Sequence, residues 1–165
     1  MSQSKVVRIA GVAHIGVTVS SLRDAIQFFQ ELLTYGPRTQ GEYVADYIAT
    51  LTNIPGAALD VAYFDLPGGV SLELTEYRDL GRSAVQDTGS PGAAHLSFVV
   101  DHIEEMWTRA LAAGAQPVSP RVVEITAGPN KGGMIAYLRF PGDVTIELFE
   151  PRRLPAGLSG SGGEG

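Results

Sequence analysis

Two nine-residue stretches, GVAHIGVTV at residues 11–19 and GAAHLSFVV at residues 92–100, share one layout. Each is an apolar run with a histidine at its fourth position, His14 in the first stretch and His95 in the second. Short apolar runs of this kind are typical of β-strands that pack against a core. The repeat therefore predicts two related strands, each of which carries an imidazole.

A helix is predicted after each stretch, because apolar residues recur there at helical spacing. The first helix is expected to begin behind a Ser20–Ser21 cap and to end at Gly36. The second is expected to begin at a capping box formed by Asp101 and Glu104 and to end at Gly114. The expected core-facing residues are Leu22, Ile26, Phe29 and Leu33 in the first helix and Ile103, Met106, Trp107, Ala110 and Leu111 in the second.

Each helix is followed by two strand-like runs around a proline–glycine turn. The four runs are LDVAYFDL (59–66), GVSLELTEY (69–77), GMIAYLRF (133–140) and DVTIELFE (143–150). We therefore interpret the chain as two copies of a β-α-β-β-β unit, an α+β fold with two curved mixed sheets.

The same patterns predict the organisation of the chain. They indicate an N-terminal arm at 1–7, a first module at 8–78, a linker at 79–91, a second module at 92–151 and a flexible Gly/Ser-rich tail at 152–165. Residues 37–58 are predicted to be extra loop material of the first module. Long loops often act as lids over binding sites.

The composition narrows the possible partners and the compartment. Of the 165 residues, 44% are hydrophobic and 18% charged, and the net charge is −6 without a lysine or arginine cluster. This argues against nucleic acid and against anionic membranes as partners. The absence of cysteine excludes disulfides and thiolate chemistry. Since no signal peptide and no run of about 18 apolar residues is present, we expect a cytoplasmic protein.

Strand alternation places four polar groups, two on each sheet, on the less apolar faces of the two sheets. His14 shares its face with Gly16 and Thr18, and His95 shares its face with Ser97. Glu73 and Glu147 lie in the matching pentads SLELT (71–75) and TIELF (145–149), each between two apolar neighbours. A carboxylate in the middle of a strand is costly to bury without a cationic partner.

Two imidazoles and two carboxylates form a ligand set that suits a divalent cation such as Zn, Ni, Co, Mn or Fe. A single strand histidine is more often structural, and a single strand glutamate usually faces solvent. Here two of the three histidines occupy equivalent positions, and each is matched by an equivalent acid. This favours a metal site at His14, Glu73, His95 and Glu147, whereas His102 is expected to be exposed.

The segments AHIGVTVSSLRDAIQFFQELL, LELTEY, AHLSFVVDHIEEMWTRALAAGAQPV and TIELFEP resemble the vicinal oxygen chelate superfamily. This superfamily includes glyoxalase I, methylmalonyl-CoA epimerase, extradiol dioxygenases and the bleomycin resistance proteins. The resemblance spans roughly residues 8–151. It implies paired βαβββ modules around a cleft, and it puts the metal on the same four residues.

The resemblance also implies roles and partners. In glyoxalase-like members a carboxylate of the second module, here Glu147, leaves the metal to act as a base. Family members of this size usually form homodimers, and some assemble each metal site from both chains. The expected partner is a small-molecule substrate with a carbonyl or vicinal oxygens.

The branch of the superfamily is indicated by three further positions, which we assign to substrate binding. The stretch GPNKGG (128–133) is similar to a glyoxalase I loop whose lysine approaches glutathione, which implies a substrate role for Lys131. Thr18 and Tyr77 replace the arginine and the asparagine of glyoxalase I. Because a hydroxyl does not replace an arginine–carboxylate fork, this departure argues against glutathione. The layout LELTEYRD…GSPGAAHLSFVVDHIEE, with its spacer between the modules, looks more like the epimerase branch.

The chemistry shared by the glyoxalase and epimerase branches is our leading prediction. A divalent cation polarises a substrate carbonyl, and Glu147 or Glu73 moves the α-proton through a metal-bound enolate. This describes a metal-dependent lyase or isomerase. The first alternative is an Fe(II) dioxygenase, in which the fourth ligand Glu73 would crowd the open positions. The second is a non-catalytic protein that binds an antibiotic or natural product, with a pocket lined by Tyr43, Tyr47, Tyr63, Tyr77 and Phe149.

Overall fold

The first half of the chain folds as a four-stranded mixed sheet with one long and one short helix. The computed structural model describes residues 11–44, 46–78, 88–140 and 144–154. The elements of this first repeat are β1 (His14–Thr18), α1 (Leu22–Leu33), β2 (Thr39–Tyr43), α2 (Asp46–Thr52), β3 (Leu59–Asp65) and β4 (Ser71–Tyr77). Strand β1 runs parallel to β4, and the other neighbours are antiparallel, in the order β1-β4-β3-β2.

The second half repeats this plan. The elements of this second repeat are β5 (His95–Val99), α3 (Ile103–Ala112), β6 (Gln116–Pro117), β7 (Val123–Glu124), β8 (Met134–Arg139) and β9 (Thr145–Glu150). Strand β5 runs parallel to β9 in the order β5-β9-β8-β6, and β7 also pairs with β8. The predicted α+β fold of two related mixed sheets is confirmed. The predicted arm, most of the linker and most of the tail lie outside the described residues.

The core lies between the helices and the apolar faces of the two sheets. Leu72 and Leu74 on β4, like Ile146 and Leu148 on β9, are fully buried and alternate with the polar residues of the same strands. Helix α1 contacts α3, and the ring of Phe28 on α1 lies 5.0 Å from that of Phe140 at the end of β8. The two repeats thus share one core on the helical side, and their opposite faces are left for the polar groups.

The first residue of each long helix donates a backbone hydrogen bond to a glutamate of its own sheet. The backbone N–H of Leu22 donates to Glu76 Oε2 at 2.6 Å, and the N–H of Ile103 donates to Glu150 Oε2 at 2.7 Å. Ser21 also caps α1, as predicted, by accepting from the N–H of Asp24. The predicted capping box of α3 is wrong, because α3 begins behind His102 without a side-chain cap among the described contacts of that residue. Instead, Glu150 accepts the hydrogen bond from the first backbone N–H of α3, that of Ile103.

The helix ends and faces differ in detail from the predictions. Helix α1 ends at Thr34, which takes a left-handed φ of 68°, and not at Gly36. Gly114, with φ of 99°, follows α3 as predicted. On α3, Leu111 is 37% exposed and does not face the core. On α1 the buried residues are Leu22, Ala25, Phe28, Phe29 and Leu32.

Residues 37–58 are not a plain loop, which corrects the prediction. They contain β2, which is the missing strand of the first β-α-β-β-β unit, and α2. Ile48 of α2 packs with Leu59 and Val61 of β3 in a second, smaller core. These β3 residues share a sheet face with Tyr63, so α2 covers part of the polar side of this sheet. No helix in the described parts of the chain is long and apolar enough to cross a membrane.

Candidate functional site

His14 and Glu73 form a close pair on the polar side of the first sheet. Parallel pairing of β1 with β4 sets Gly16 opposite Glu73, so that His14 lies two residues away on the same face. His14 Nε2 lies 2.8 Å from Glu73 Oε2. The side chains remain 42% and 20% exposed, which leaves the pair accessible from solvent.

Tyr63 completes this group, which we call the first half-site (His14, Glu73 and Tyr63). It lies on β3 directly opposite Glu73, and its hydroxyl donates to Glu73 Oε1 at 2.8 Å. Its ring meets the His14 ring edge-on, with centroids 6.0 Å apart. Burial and the hydrogen bond to the carboxylate raise the pKa of Tyr63 to about 12. Tyr63 therefore stays a hydroxyl donor at neutral pH.

The second half-site (His95, Glu147 and Tyr137) repeats this arrangement on the second sheet. Tyr137 on β8 lies opposite Glu147, and its ring is 5.4 Å from that of His95. Burial and a hydrogen bond to Glu147 raise the pKa of Tyr137. His95 Nε2 lies 3.4 Å from Glu147 Oε2, which is farther than in the first half-site.

A single residue on β5 distinguishes the two half-sites. Ser97 lies opposite Glu147, and its hydroxyl donates to Glu147 Oε1 at 2.5 Å. The equivalent residue of the first half-site is Gly16, which has no side chain to donate. Glu147 thus accepts hydrogen bonds from two hydroxyls, those of Ser97 and Tyr137.

The donor atoms within each half-site are spaced as neighbouring ligands of one ion would be. Nitrogen and oxygen ligands that each lie about 2.1 Å from an ion, at angles of about 85° to 110°, are about 2.8 to 3.4 Å apart. The two pairs have separations of 2.8 and 3.4 Å. Within the described ranges of a single chain, however, no group of three or more potential ligands is close enough to hold a metal. One chain therefore provides two separate pairs, one on each sheet.

The three residues assigned to substrate binding have different surroundings. Thr18 is exposed on β1 and shares the face of His14. Tyr77 is half-buried at the end of β4 and packs against the small core under α2. Lys131 is exposed in the turn that precedes β8.

The tyrosines of the half-sites were not recognised as a repeated feature of the sequence, although a signal exists. Tyr63 precedes Glu73 by ten residues, and Tyr137 precedes Glu147 by ten residues. Equal spacing across two equivalent hairpins places each tyrosine opposite its glutamate. From the sequence alone, Tyr63 is predicted only to line a pocket.

Comparisons with known proteins identify the family of the chain. The family model of the glyoxalase/bleomycin resistance protein/dioxygenase superfamily matches residues 13–137, which is more than half of the chain. The chain belongs to this superfamily. The resemblance of the sequence to the vicinal oxygen chelate proteins is thereby confirmed. No curated protein matches this chain significantly.

Solved structures of the superfamily have the same fold. A glyoxalase family protein from Bacillus cereus is 22% identical with a TM-score of 0.70, and the match covers 92% of this chain and 98% of that one. A glyoxylase/bleomycin resistance protein/dioxygenase domain from Frankia sp. EAN1pec is 26% identical with a TM-score of 0.62, over 88% and 95%. A glyoxalase I mutant from Zea mays is 13% identical with a TM-score of 0.58, over 85% of this chain and 47% of that one.

Proposed function

We propose that this protein is a metal-dependent lyase or isomerase, similar to a glyoxalase or an epimerase, that moves a proton next to a substrate carbonyl. The observation that carries the proposal is the duplicated pair of imidazole and carboxylate, His14 with Glu73 and His95 with Glu147. Both pairs lie on strands at partly exposed positions, and their donor spacings suit one cation.

The four residues would hold a divalent cation such as Zn, Ni, Co, Mn or Fe, since two imidazoles and two carboxylates do not select among these ions. When bound, such a cation acts as a Lewis acid toward a carbonyl oxygen. Tyr63 and Tyr137 fix the orientation of the two carboxylates by donating hydrogen bonds to them. Glu147 accepts the substrate proton and returns it.

We propose further that the complete site forms between two copies of this chain. The support for this is that β1 and β5, which carry the histidines, each pair with a single neighbour among the described strands. Both strands also expose apolar side chains, since Ile15 is 41% and Val99 is 42% exposed. Open strand edges of this kind invite pairing with a second chain. A homodimer with twofold symmetry would join the first half-site of one copy to the second half-site of the other, twice.

The substrate in this proposal is a small molecule with a carbonyl or vicinal oxygens. Thr18 lies on the face of His14 and can donate or accept a hydrogen bond. Lys131 offers an exposed cation for an anionic part of the substrate, and Tyr77 packs with Tyr63 against the small core under α2. A cytoplasmic location is part of this proposal, and the lack of cysteine is compatible with it.

Metal analysis of the purified protein tests the proposal. The wild-type chain should retain a stoichiometric divalent cation after gel filtration, and His95→Ala should lose it. His102→Ala is the matched control, because His102 is the third histidine and is exposed ahead of α3. The metal-loaded wild type should also exchange substrate α-protons with D₂O in panels of α-ketoaldehydes and acyl-CoA thioesters. Equal metal content in all three proteins would contradict the assigned ligands.

A further inference from the structure

We propose that Ser97 is a positioning residue that makes the two carboxylates of the site unequal. Ser97 holds Glu147 away from the His95 imidazole. Glu147 is therefore the carboxylate that can alternate between binding the cation and carrying the substrate proton, whereas Glu73 remains a fixed ligand. This inference rests on the proposed function and adds to it the residue that assigns the two roles.

The two half-sites show the difference directly. Both place the same residue types in the same strand register, so the backbone gives no reason for unequal carboxylates. The distance from imidazole to carboxylate is nevertheless 2.8 Å in the first half-site and 3.4 Å in the second. The longer distance occurs where Ser97 donates to the carboxylate, and the shorter one where Gly16 stands in its place.

The hydrogen bond from Ser97 opposes the approach of Glu147 to a cation. Its hydroxyl binds Oε1 of Glu147 at 2.5 Å, while Oε2 is the oxygen that faces His95. Because this bond restrains Oε1, Oε2 can adjust its position toward a cation only if the bond to Ser97 lengthens. This restraint weakens Glu147 as a ligand relative to Glu73, which has Gly16 and no hydroxyl beside it on strand β1.

The same hydroxyl suits Glu147 for carrying a proton. In the proposed step the C–H bond beside the substrate carbonyl breaks, its electron pair stays on the substrate, and the proton forms an O–H bond on Glu147. The proton then returns to the same or to a neighbouring carbon, so that no oxidant or reductant is needed. A serine hydroxyl donates to the carboxylate and can accept from the carboxylic acid. Ser97 therefore remains bonded to Glu147 before and after the transfer.

Titration of the full chain with Co²⁺ alone tests this role without a substrate. Ser97→Ala should bind Co²⁺ about tenfold more tightly than the wild type, which is the effect expected from removing one opposing hydrogen bond to a charged group. The visible absorption of bound Co²⁺ should change as Glu147 enters the coordination shell more fully. Ser97→Thr keeps the hydroxyl and should restore the wild-type affinity and spectrum.

Gly16→Ser provides the reciprocal test in the first half-site. A Cβ atom at this position would lie 3.5 Å from Glu73 Oε2, an ordinary contact, so a serine fits. The new hydroxyl should weaken Co²⁺ binding, and Gly16→Ala controls for the added carbon. If Ser97→Ala binds Co²⁺ more weakly than the wild type, or equally well, Ser97 only supports a ligand and the inference is overturned. If the wild type itself binds no Co²⁺, the proposed function fails first.

Discussion

The two half-sites share their geometry and differ in their surroundings. Each has a histidine on the edge strand, a glutamate on the neighbouring strand and a tyrosine opposite the glutamate. The first half-site has Gly16 beside its glutamate and lies next to α2, which covers part of the same sheet face. The second has Ser97 beside its glutamate, and the two short strands β6 and β7 stand where the first repeat has β2 and α2.

This comparison shows which properties follow from the duplicated backbone and which from single side chains. Strand register alone brings histidine, glutamate and tyrosine together twice, because register decides which residues share a face. One hydroxyl then changes the spacing between imidazole and carboxylate. Duplication thus supplies two similar ligand pairs, and small local differences can give the two pairs different chemical roles.

The largest expected effect comes from removing one histidine ligand, from the first half-site in one variant and from the second half-site in another. His14→Ala and His95→Ala should each lower the affinity for Zn²⁺ by more than about 100-fold, since each removes a direct ligand. If the site joins two copies, mixing the two variants restores one intact site in every mixed dimer. Random subunit exchange should then recover about a quarter of the wild-type Zn²⁺ sites.

The control for this mixing experiment is either variant mixed with itself, which should recover nothing. Zn²⁺ sites can be counted by isothermal titration after subunit exchange. Failure of the mixed sample to regain sites, although the wild type binds Zn²⁺, would show that the first and second half-sites do not meet across a dimer.

A smaller effect is expected at the tyrosines. Tyr63→Phe and Tyr137→Phe should each weaken Zn²⁺ binding by about tenfold, because each removes a donor that orients a ligating carboxylate. The raised pKa of Tyr63, about 12 against a usual 10.0, also predicts a pH effect on the metal-free protein. As the pH rises from 10 to 12, the unfolded state loses this proton first, so the wild type loses stability relative to Tyr63→Phe.

Urea unfolding at stepped pH measures the stability difference between wild type and Tyr63→Phe. The difference should be constant below pH 10 and should shift in favour of Tyr63→Phe above it. Parallel stability curves up to pH 12 would mean that the hydroxyl of Tyr63 is not held by Glu73. Tyr137→Phe should show the same direction of change, because burial and Glu147 raise the pKa of Tyr137 as well.

Much of the fold could be predicted from the sequence because the repeats keep strong local signals. The apolar alternation around Glu73 and Glu147 and the helical spacing after each histidine determine the strands and the two long helices. Strand β2 was missed because TQGEY has little apolar content, and every one of its residues is exposed. Its pairing with β3 depends on contacts between segments that local patterns do not reveal.

The sequence allowed the two pairs of candidate ligands to be predicted. It did not reveal that the two pairs lie apart within one chain. Alternation places His14 and Glu73 on one face, but no local pattern tells how two sheets are arranged around a shared core. That arrangement depends on packing between α1, α3 and residues such as Phe28 and Phe140, which are distant in sequence. The role of Ser97 likewise depends on the register of β5 against β9, which joins residues 50 positions apart.

The smallest expected effect is on stability, and it concerns the two glutamates that accept hydrogen bonds at the helix starts, Glu150 at α3 and Glu76 at α1. Glu150→Ala should cost about 1 to 2 kcal/mol, because α3 begins without a side-chain cap from its N-cap residue and Glu150 accepts the N–H of Ile103. Glu76→Ala should cost less, about 0.5 to 1 kcal/mol, since Ser21 continues to cap α1. Thermal unfolding of both variants measures the difference, and Ser21→Ala combined with Glu76→Ala should bring the loss at α1 to the level of Glu150→Ala. Equal losses in the two single variants would contradict this assignment. The glutamate three residues after each site carboxylate would then stabilise its helix in the same way in both repeats, whatever other cap is present.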